Sequence, residues 1–415
     1  MNKKILSNVL FLLVCVPGIA QKNFNITITN NSKISKNNEP IVLNLRNYNA
    51  GDVKSALVKC EGEEIPCQLD DLDQDGKMDE LCFITDIDKK SSKKVNVTLY
   101  NEGKPKDYTS QVYVEMLLSN KKIKESNKQN LYISNLTVDR GVNPYWSIHH
   151  HGAAFENDMV AYRIYFDHRQ TVDIYGKYKR GLELKQTQFY PDANQKNAGF
   201  GDDVLWVGST LGLGTLRGWD GSKPTMLTDV EKRSQRIISR GPLRTIVEVK
   251  DLAWIPQSGQ EPVDMTTYYV LYAGKRECYI KAKFNKPVTG YKFSTGIINV
   301  KNSKEFSDKK GLRGCWGTDW PVSEKDSAGH KKETVGLGIY IPEKYIISEE
   351  PANKDNYAFV IGSNTNEINY MITFCSDNEN FGYHNAEQWF DFLKEWKAEC
   401  QEPVSYTHLT LPTIA

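Results

Sequence analysis

Short runs of alternating apolar and polar residues recur along this chain with no helical periodicity between them, and that pattern restricts the fold more than any other feature. NITITN, PIVLNLRN, ELCFITDI and KKVNVTLY come first. DMVAYRIYFD, TVDIYGK, VLWVGS, RTIVEVKDLAWI, TTYYVLYAG, CYIKAKF, TVGLGIYI, YAFVIG and YMITFCS follow. A period of two sends successive side chains to opposite sheet faces. Many strands without interleaved helices exclude a doubly wound α/β fold and predict an all-β chain. Only residues 385–397 read as helix, with Trp389, Phe392, Leu393 and Trp396 at i, i+3, i+4 and i+7 and Asn385 as N-cap. The glycines at 212, 214 and 218 miss the dinucleotide spacing and precede no helix, so LGLGTLRG reads as a turn or a close-packed strand.

A length of 415 residues exceeds what one hydrophobic core usually serves. The polar, proline-containing break at 103–107 divides a small N-terminal β-sandwich, 21–108, from a large antiparallel β-sandwich, 109–404. Residues 1–20 read as a signal peptide: Lys3 and Lys4, an apolar run, then Gly18 and Ala20 before Gln21. No later run approaches the roughly 20 apolar residues of a membrane span, so a periplasmic or extracellular protein is expected. The ending SYTHLTLPTIA, 405–415, resembles translated adapter sequence and is expected to be a non-native tail. Lys+Arg of 53 against Asp+Glu of 52 argues against a nucleic-acid partner that binds by counterion release. The sequence does not set an oligomeric state. Past the signal peptide seven cysteines lie without metal-ligand spacing. Pairing through a turn at 61–64 would place Cys67 opposite Val58, so the spacing predicts no bridge to Cys60.

The chemistry concentrates in residues 145–179, YWSIHHHGAAFENDMVAYRIYFDHRQTVDIYGKYK, which hold four of the seven histidines. Alternation puts Val160, Tyr162, Ile164 and Phe166 on one face and Ala161, Arg163, Tyr165 and Asp167 on the other. A turn at His168-Arg169-Gln170 would bring Asp173, Tyr175 and Lys177 alongside. Such a face suits a carbohydrate cleft: aromatic rings for pyranoses, arginines for acidic groups, His or Tyr for proton transfer. His149, His151, Arg163 and Tyr165 are the candidate catalytic residues. Trp146, Asp167, His168, Arg169, Asp173 and Lys177 are candidate substrate contacts. A cross-strand salt-bridge lattice accounts for Arg163, Asp167 and Asp173 equally well. If the backbone is extended, His149 and His151 point one way and could chelate a metal with Glu156 or Asp158; acid–base work and a structural loop remain alternatives. Trp206, Trp219, Trp316 and His384 sit in Gly- and Asp-rich contexts that read as loops at a sheet end. They are either further substrate contacts or plugs of the sandwich.

DLDQDGKMDE, 71–80, has oxygen ligands at alternate positions and glycine sixth, which suits a structural Ca²⁺ held by Asp71, Asp73, Asp75 and Asp79, with an acidic surface turn as the equal alternative. Cys82 stands twelfth and a strand follows, so this is not an EF-hand.

ENDMVAYRIYFDHRQTVDIYGK, DLDQDGKMDEL and SRGPLRTIVEV together resemble the secreted bacterial family of domain of unknown function 4861, over nearly the whole chain to about residue 404. The resemblance implies a polysaccharide-degradation context and a small β-domain ahead of a β-sandwich similar to galactose mutarotases and some polysaccharide lyases. It implies no catalytic residues. The expectation is an exported carbohydrate-active protein, foremost a lyase on uronate-containing polysaccharide or oligosaccharide. A glycoside hydrolase, a sugar epimerase and a non-catalytic glycan-binding protein are the alternatives.

Overall fold

The computed structural model describes residues 21–409, so the expected signal peptide and residues 410–415 lie outside it. The chain is all-β, with antiparallel sheets and a long C-terminal helix. In the first unit a five-stranded sheet runs in the order Ser405–Leu409, Gln21–Asn30, Ser91–Tyr100, Ser55–Cys60, Glu63–Ile65. A three-stranded sheet, Lys36–Asn44, Glu80–Ile87, Cys67–Asp70, packs against it. Alternation sends Ile26, Ile28 and Val97 of one sheet and Ile41, Leu43 and Phe83 of the other into a shared core. Ser405–Leu409 pairs with the first strand, Thr29 opposite Ser405, so the start of the expected tail occupies a sheet edge.

The hairpin after Ser55–Cys60 is tighter than the sequence reading. Cys60 faces Glu63 and Val58 faces Ile65, because Glu61 and Gly62 both take positive φ and close a two-residue turn. Cys67 lies opposite Phe83 in the other sheet, and both cysteines are free.

The second unit stacks three sheets around one large core. Its nine-stranded sheet runs Asn135–Asp139, Lys232–Arg240, Arg244–Trp254, Val263–Tyr272, Cys278–Phe284, Glu367–Ser376, Glu333–Tyr340, Leu312–Asp319, Lys304–Ser307. Facing it are a sheet of Asp202–Asp203, Val172–Gly176, Ala161–Tyr165, Gly152–Asn157 and Val112–Glu115, and a second one centred on Phe293–Ile298 and Asn356–Ile361. Val247, Ile280, Leu337 and Phe374 of the large sheet meet Tyr162, Ile164 and Ile174 of the first facing sheet. VLWVGS forms no strand: Val204, Leu205 and Val207 are all buried while Trp206 is exposed, a tucked segment rather than an alternating one.

The helix Ala386–Gln401, capped by the Asn385 side chain on the Gln388 N–H, lays Trp389 and Leu393 on the outer face of the nine-stranded sheet. Glycines make room for it. A Cβ on Gly336 would meet the Trp389 ring at 2.7 Å, and one on Gly338 would meet Leu393 at 2.4 Å.

The two units are joined by buried polar contacts. The Arg244 guanidinium pairs with Asp70 at 2.6 Å and Glu80 at 2.8 Å. Gln68 donates to Ser239 at 2.6 Å and accepts from the Leu243 and Arg244 backbone N–H groups. Removing one partner of a buried pair strands the other charge. Arg244→Ala should therefore cost about 3–5 kcal/mol in chemical denaturation; a loss below about 1 kcal/mol would show that this contact does not hold the units together.

Candidate functional site

Sheet register builds the site. Arg163 stands directly opposite Asp173, and the edge strand adds Asp203 opposite Tyr175. Because Tyr162 and Ile164 enter the core, Arg163 and Tyr165 point to the other face, as the alternation predicts. Residues 183–203 roof much of that face, with Leu184 and Phe189 packed on Ala161 and Tyr175. Beside this roof His151 and Arg169 are partly exposed and Trp146 is exposed.

The Arg163 guanidinium is enclosed. Its Nε and Nη2 donate to Asp173 Oδ2 at 3.0 and 2.6 Å, Nη2 also to Asp203 Oδ2 at 2.7 Å, and Nη1 to the Tyr190 hydroxyl at 3.0 Å. The Tyr165 hydroxyl donates to Asp173 at 2.8 Å, and the Phe189 ring lies 4.1 Å from the guanidinium carbon. Asp173 is fully buried, whereas the Asp203 side chain is 18% exposed. Burial, reinforced by Asp173 and Asp202, pushes Asp203 up to about 8 despite Arg163. Burial therefore favours the protonated form of Asp203.

The open rim continues through the turn after Tyr165. Asp167 binds Arg169 Nε and Nη2 at 2.7 and 2.6 Å and accepts from the Arg169 N–H at 2.7 Å. This holds the Arg169 guanidinium over the rings of Tyr145 (4.6 Å) and Tyr165 (5.0 Å) while it stays partly exposed. Tyr145 stacks on His151 at 3.8 Å, and Trp146, 79% exposed, meets both edge-on. His151 Nδ1 lies 3.0 Å from the Tyr145 carbonyl, which can only accept, so Nδ1 carries the proton and Nε2 the lone pair. Nε2 makes no hydrogen bond among the described residues. Burial, with Arg163 nearby, lowers His151 to about 4 and leaves it neutral.

The histidine triplet is not extended. It forms a tight turn with His150 and His151 at positive φ, which removes the basis for a His149–His151 chelate. His149 is buried beside Tyr190 with Nε2 unpartnered, and burial lowers it to about 3. His150 is enclosed 3.2 Å from Glu115, which burial raises to about 8. Among the described residues the acidic or histidine group able to converge on a metal is Asp71, Asp73 and Asp79, with ligand oxygens within 4.8 Å of one another. Asp75 is outside it and caps the Lys77 N–H, while Arg46 pairs with Asp79 at 3.0 Å.

Other expected site residues lie elsewhere. Lys177 is fully buried, bound to Glu156 and the Asn157 carbonyl at 2.6 Å each and to the Gly181 carbonyl at 2.5 Å, so no substrate reaches it. Glu156 in turn receives the Glu183 and Leu184 N–H groups and anchors the roof. His168 is exposed on the turn. Trp206 is exposed three residues past Asp203, but Trp219 is buried. Trp316 packs beside the C-terminal helix, and His384 binds Asp377 just before that helix. Asp203, Tyr145 and Tyr190 were missed by sequence reading. Only their nearness to the ribbon and the GDDVLW context hinted at them.

The fold resembles that of a glycosyl hydrolase family 38 protein from Enterococcus faecalis, with a TM-score of 0.50 at 9% identity over 94% of this chain and 47% of that one. An alpha-mannosidase from Enterococcus faecalis V583 gives 0.49 at 9% identity over 94% and 46%. The chain spans about half the length of these structures. No curated protein sequence matches it. A family profile matches residues 28–405, nearly the whole described chain, and the protein belongs to that family, Domain of unknown function (DUF4861).

Proposed function

We propose that this chain is a carbohydrate-active protein, a lyase on uronate-containing glycans whose site is the rim bearing Arg169, His151 and Asp203. One observation carries the reading: Tyr165 stands between the Arg163–Asp203 pair and the partly exposed Arg169 guanidinium, with the His151 ring edge-on beside it and its Nε2 free of hydrogen bonds among the described residues. β-Elimination needs those groups. Arg169 neutralises the uronate carboxylate, which acidifies the adjacent C5–H bond. His151 Nε2 takes the C5 proton, and the released electron pair forms the C4–C5 double bond as the C4–O bond breaks. Asp203 delivers its proton to the leaving oxygen. Trp146, exposed beside the stacked Tyr145 and His151 rings, offers a ring face to the sugars. Arg163 is satisfied by its own carboxylates and acts as the post that positions Asp203 and Tyr165.

The likeness to a glycosyl hydrolase family 38 structure supports a glycan context, while the geometry disfavours hydrolysis. Asp173 and Asp203 bind the same guanidinium nitrogen, and Asp173 is fully buried, so the two do not flank a bond. Incubation with acidic polysaccharides should generate ultraviolet-absorbing unsaturated uronate, and His151→Ala, Arg169→Ala and Asp203→Asn should each cut the rate by about 10²–10⁴-fold. Unsaturated product that persists in all three variants would refute the assignment; binding without product would favour a glycan-binding protein.

The pH profile follows from the same two groups. Activity should rise through about pH 4 as His151 loses its proton and fall through about pH 8 as Asp203 loses its own. In Asp203→Asn the alkaline limb should vanish from whatever rate remains; an unchanged limb would remove Asp203 from the acid role. A structural Ca²⁺ on Asp71, Asp73 and Asp79 is a separate proposal, which requires Arg46 to release Asp79. Added Ca²⁺ should then raise the melting temperature and a chelator reverse it, whereas no shift would reject the ion.

A further inference from the structure

A cleft of about 750 Å³ lies between the two units, on the face of the nine-stranded sheet opposite the core and away from the rim just described. Its volume is within the roughly 300–1,000 Å³ typical of small-ligand sites. The floor comes from Val263–Tyr272 and Cys278–Phe284, whose residues alternate between buried and solvent-facing. Water-facing positions of such strands ordinarily carry small polar or charged groups. Here they carry Tyr268, Tyr272 and Tyr279, with the last two edge-on at 5.5 Å, together with Lys281 and Lys283.

Between its fastened ends, the cations lining the gap bond within their own units. Arg46 on the N-terminal side is held by Asp79 of its own unit at 3.0 Å, and Lys281 by Glu367 of its own sheet at 3.0 Å. Lys283 has no carboxylate within ion-pair distance among the described residues and lies 5.8 Å from the Tyr268 ring. The opening is framed rather than loose. Arg244 with Asp70 and Glu80 fastens one end; at the other, Lys275 pairs with Glu39 at 3.6 Å and Lys36 Nζ donates to the Glu399 carbonyl at 2.6 Å. With both ends pinned, the space between cannot close on itself.

We infer that this cleft is a second, non-catalytic binding site for an acidic oligosaccharide, held by the tyrosine faces and by Lys283. Half-buried tyrosines supply flat apolar surface with a hydroxyl at the edge, which suits a pyranose ring; Lys283, opposite Glu367 in the register yet beyond ion-pair distance of it, suits a sugar carboxylate away from the acids Asp73, Asp79 and Glu80 of the far wall. The choice of an acidic sugar rests on the proposed function; the cleft itself does not. Such a site would hold a long chain while the rim works on another part of it, and would raise the effective substrate concentration there.

The test separates the two sites. Galacturonate and mannuronate hexamers are titrated calorimetrically into the full chain carrying Arg169→Ala and Asp203→Asn, which disables the rim. At least one hexamer should still bind, and adding Tyr268→Ala should weaken it tenfold or more. Lys283→Ala, at an exposed position that leaves folding intact, should weaken it at least threefold and flatten its salt dependence. No binding to the rim-disabled chain, or binding indifferent to both added substitutions, overturns the cleft. A chain that makes no unsaturated product yet binds through Tyr268 and Lys283 refutes the lyase reading alone, and turnover without cleft binding refutes the cleft alone.

Discussion

Everything about the candidate site depends on one enclosed cation. The Arg163 side chain is almost entirely buried, and its one positive charge faces two carboxylates across three adjacent strands. Leaving a guanidinium there without acids would be prohibitive, and placing two full negative charges against it would leave one uncompensated in a low-dielectric setting. Asp173 is the deeper of the two and receives three of the donated hydrogen bonds. Burial, with Asp173 and Asp202 nearby, correspondingly favours the protonated form of Asp203. The proton donor of the proposed reaction is thus a consequence of local charge balance, with no catalytic partner needed to create it. The same guanidinium ties Tyr190 of the roof to the sheet, so roof and donor are positioned together.

The rim is held from below as firmly as from the side. Gln170 donates both its hydrogen bonds to Asp251, which Arg233 also binds at 2.8 Å. Arg217 reaches up to the Arg169 carbonyl at 3.0 Å and the Thr171 hydroxyl at 2.9 Å, so a second buried cation clamps the turn through oxygen dipoles alone. Burial lowers Arg217 to about 10, still far above neutrality. With backbone, carboxylate and two aromatic faces all fixed, the Arg169 guanidinium has little freedom left to lose when an anion arrives, which is how preorganisation raises affinity and rate.

How much of this was legible in the sequence depends on the range of the interaction. The period of two gave the all-β class and put Arg163, Tyr165 and Asp173 on one face, because side-chain direction in a strand is fixed locally. The helix at the C-terminus was equally plain from its spacing and cap. Register was less so: the hairpin at Glu61-Gly62 turned on φ signs that composition does not state. VLWVGS looked like a strand because its residues are apolar, yet burial of three of them under a sheet end serves as well. For the histidine triplet the tight turn removes only the metal reading, which was conditional on an extended backbone, and leaves the acid–base and structural readings. Partners far along the chain were invisible. Nothing near Arg163 says that Asp203 and Tyr190 will complete it, and nothing near Lys177 says that Glu156 and two carbonyls will enclose it.

A chain needing only stability would gain little from the charges beside Tyr165. Its second unit already buries a continuous apolar core, and a buried ion pair seldom outperforms well-packed hydrophobic residues of the same volume. The lysine at 177 fits that structural accounting: every donor is matched, no edge faces water, and Glu156 stitches the roof. The rim does not fit it. His151 Nε2 makes no hydrogen bond among the described residues, burial raises Asp203 above the usual carboxylate range, and a large indole at Trp146 stands in water beside the imidazole. Imperfect satisfaction, perturbed protonation and an exposed aromatic at one place are costs that packing alone does not explain, and they are the features by which a working site departs from its scaffold.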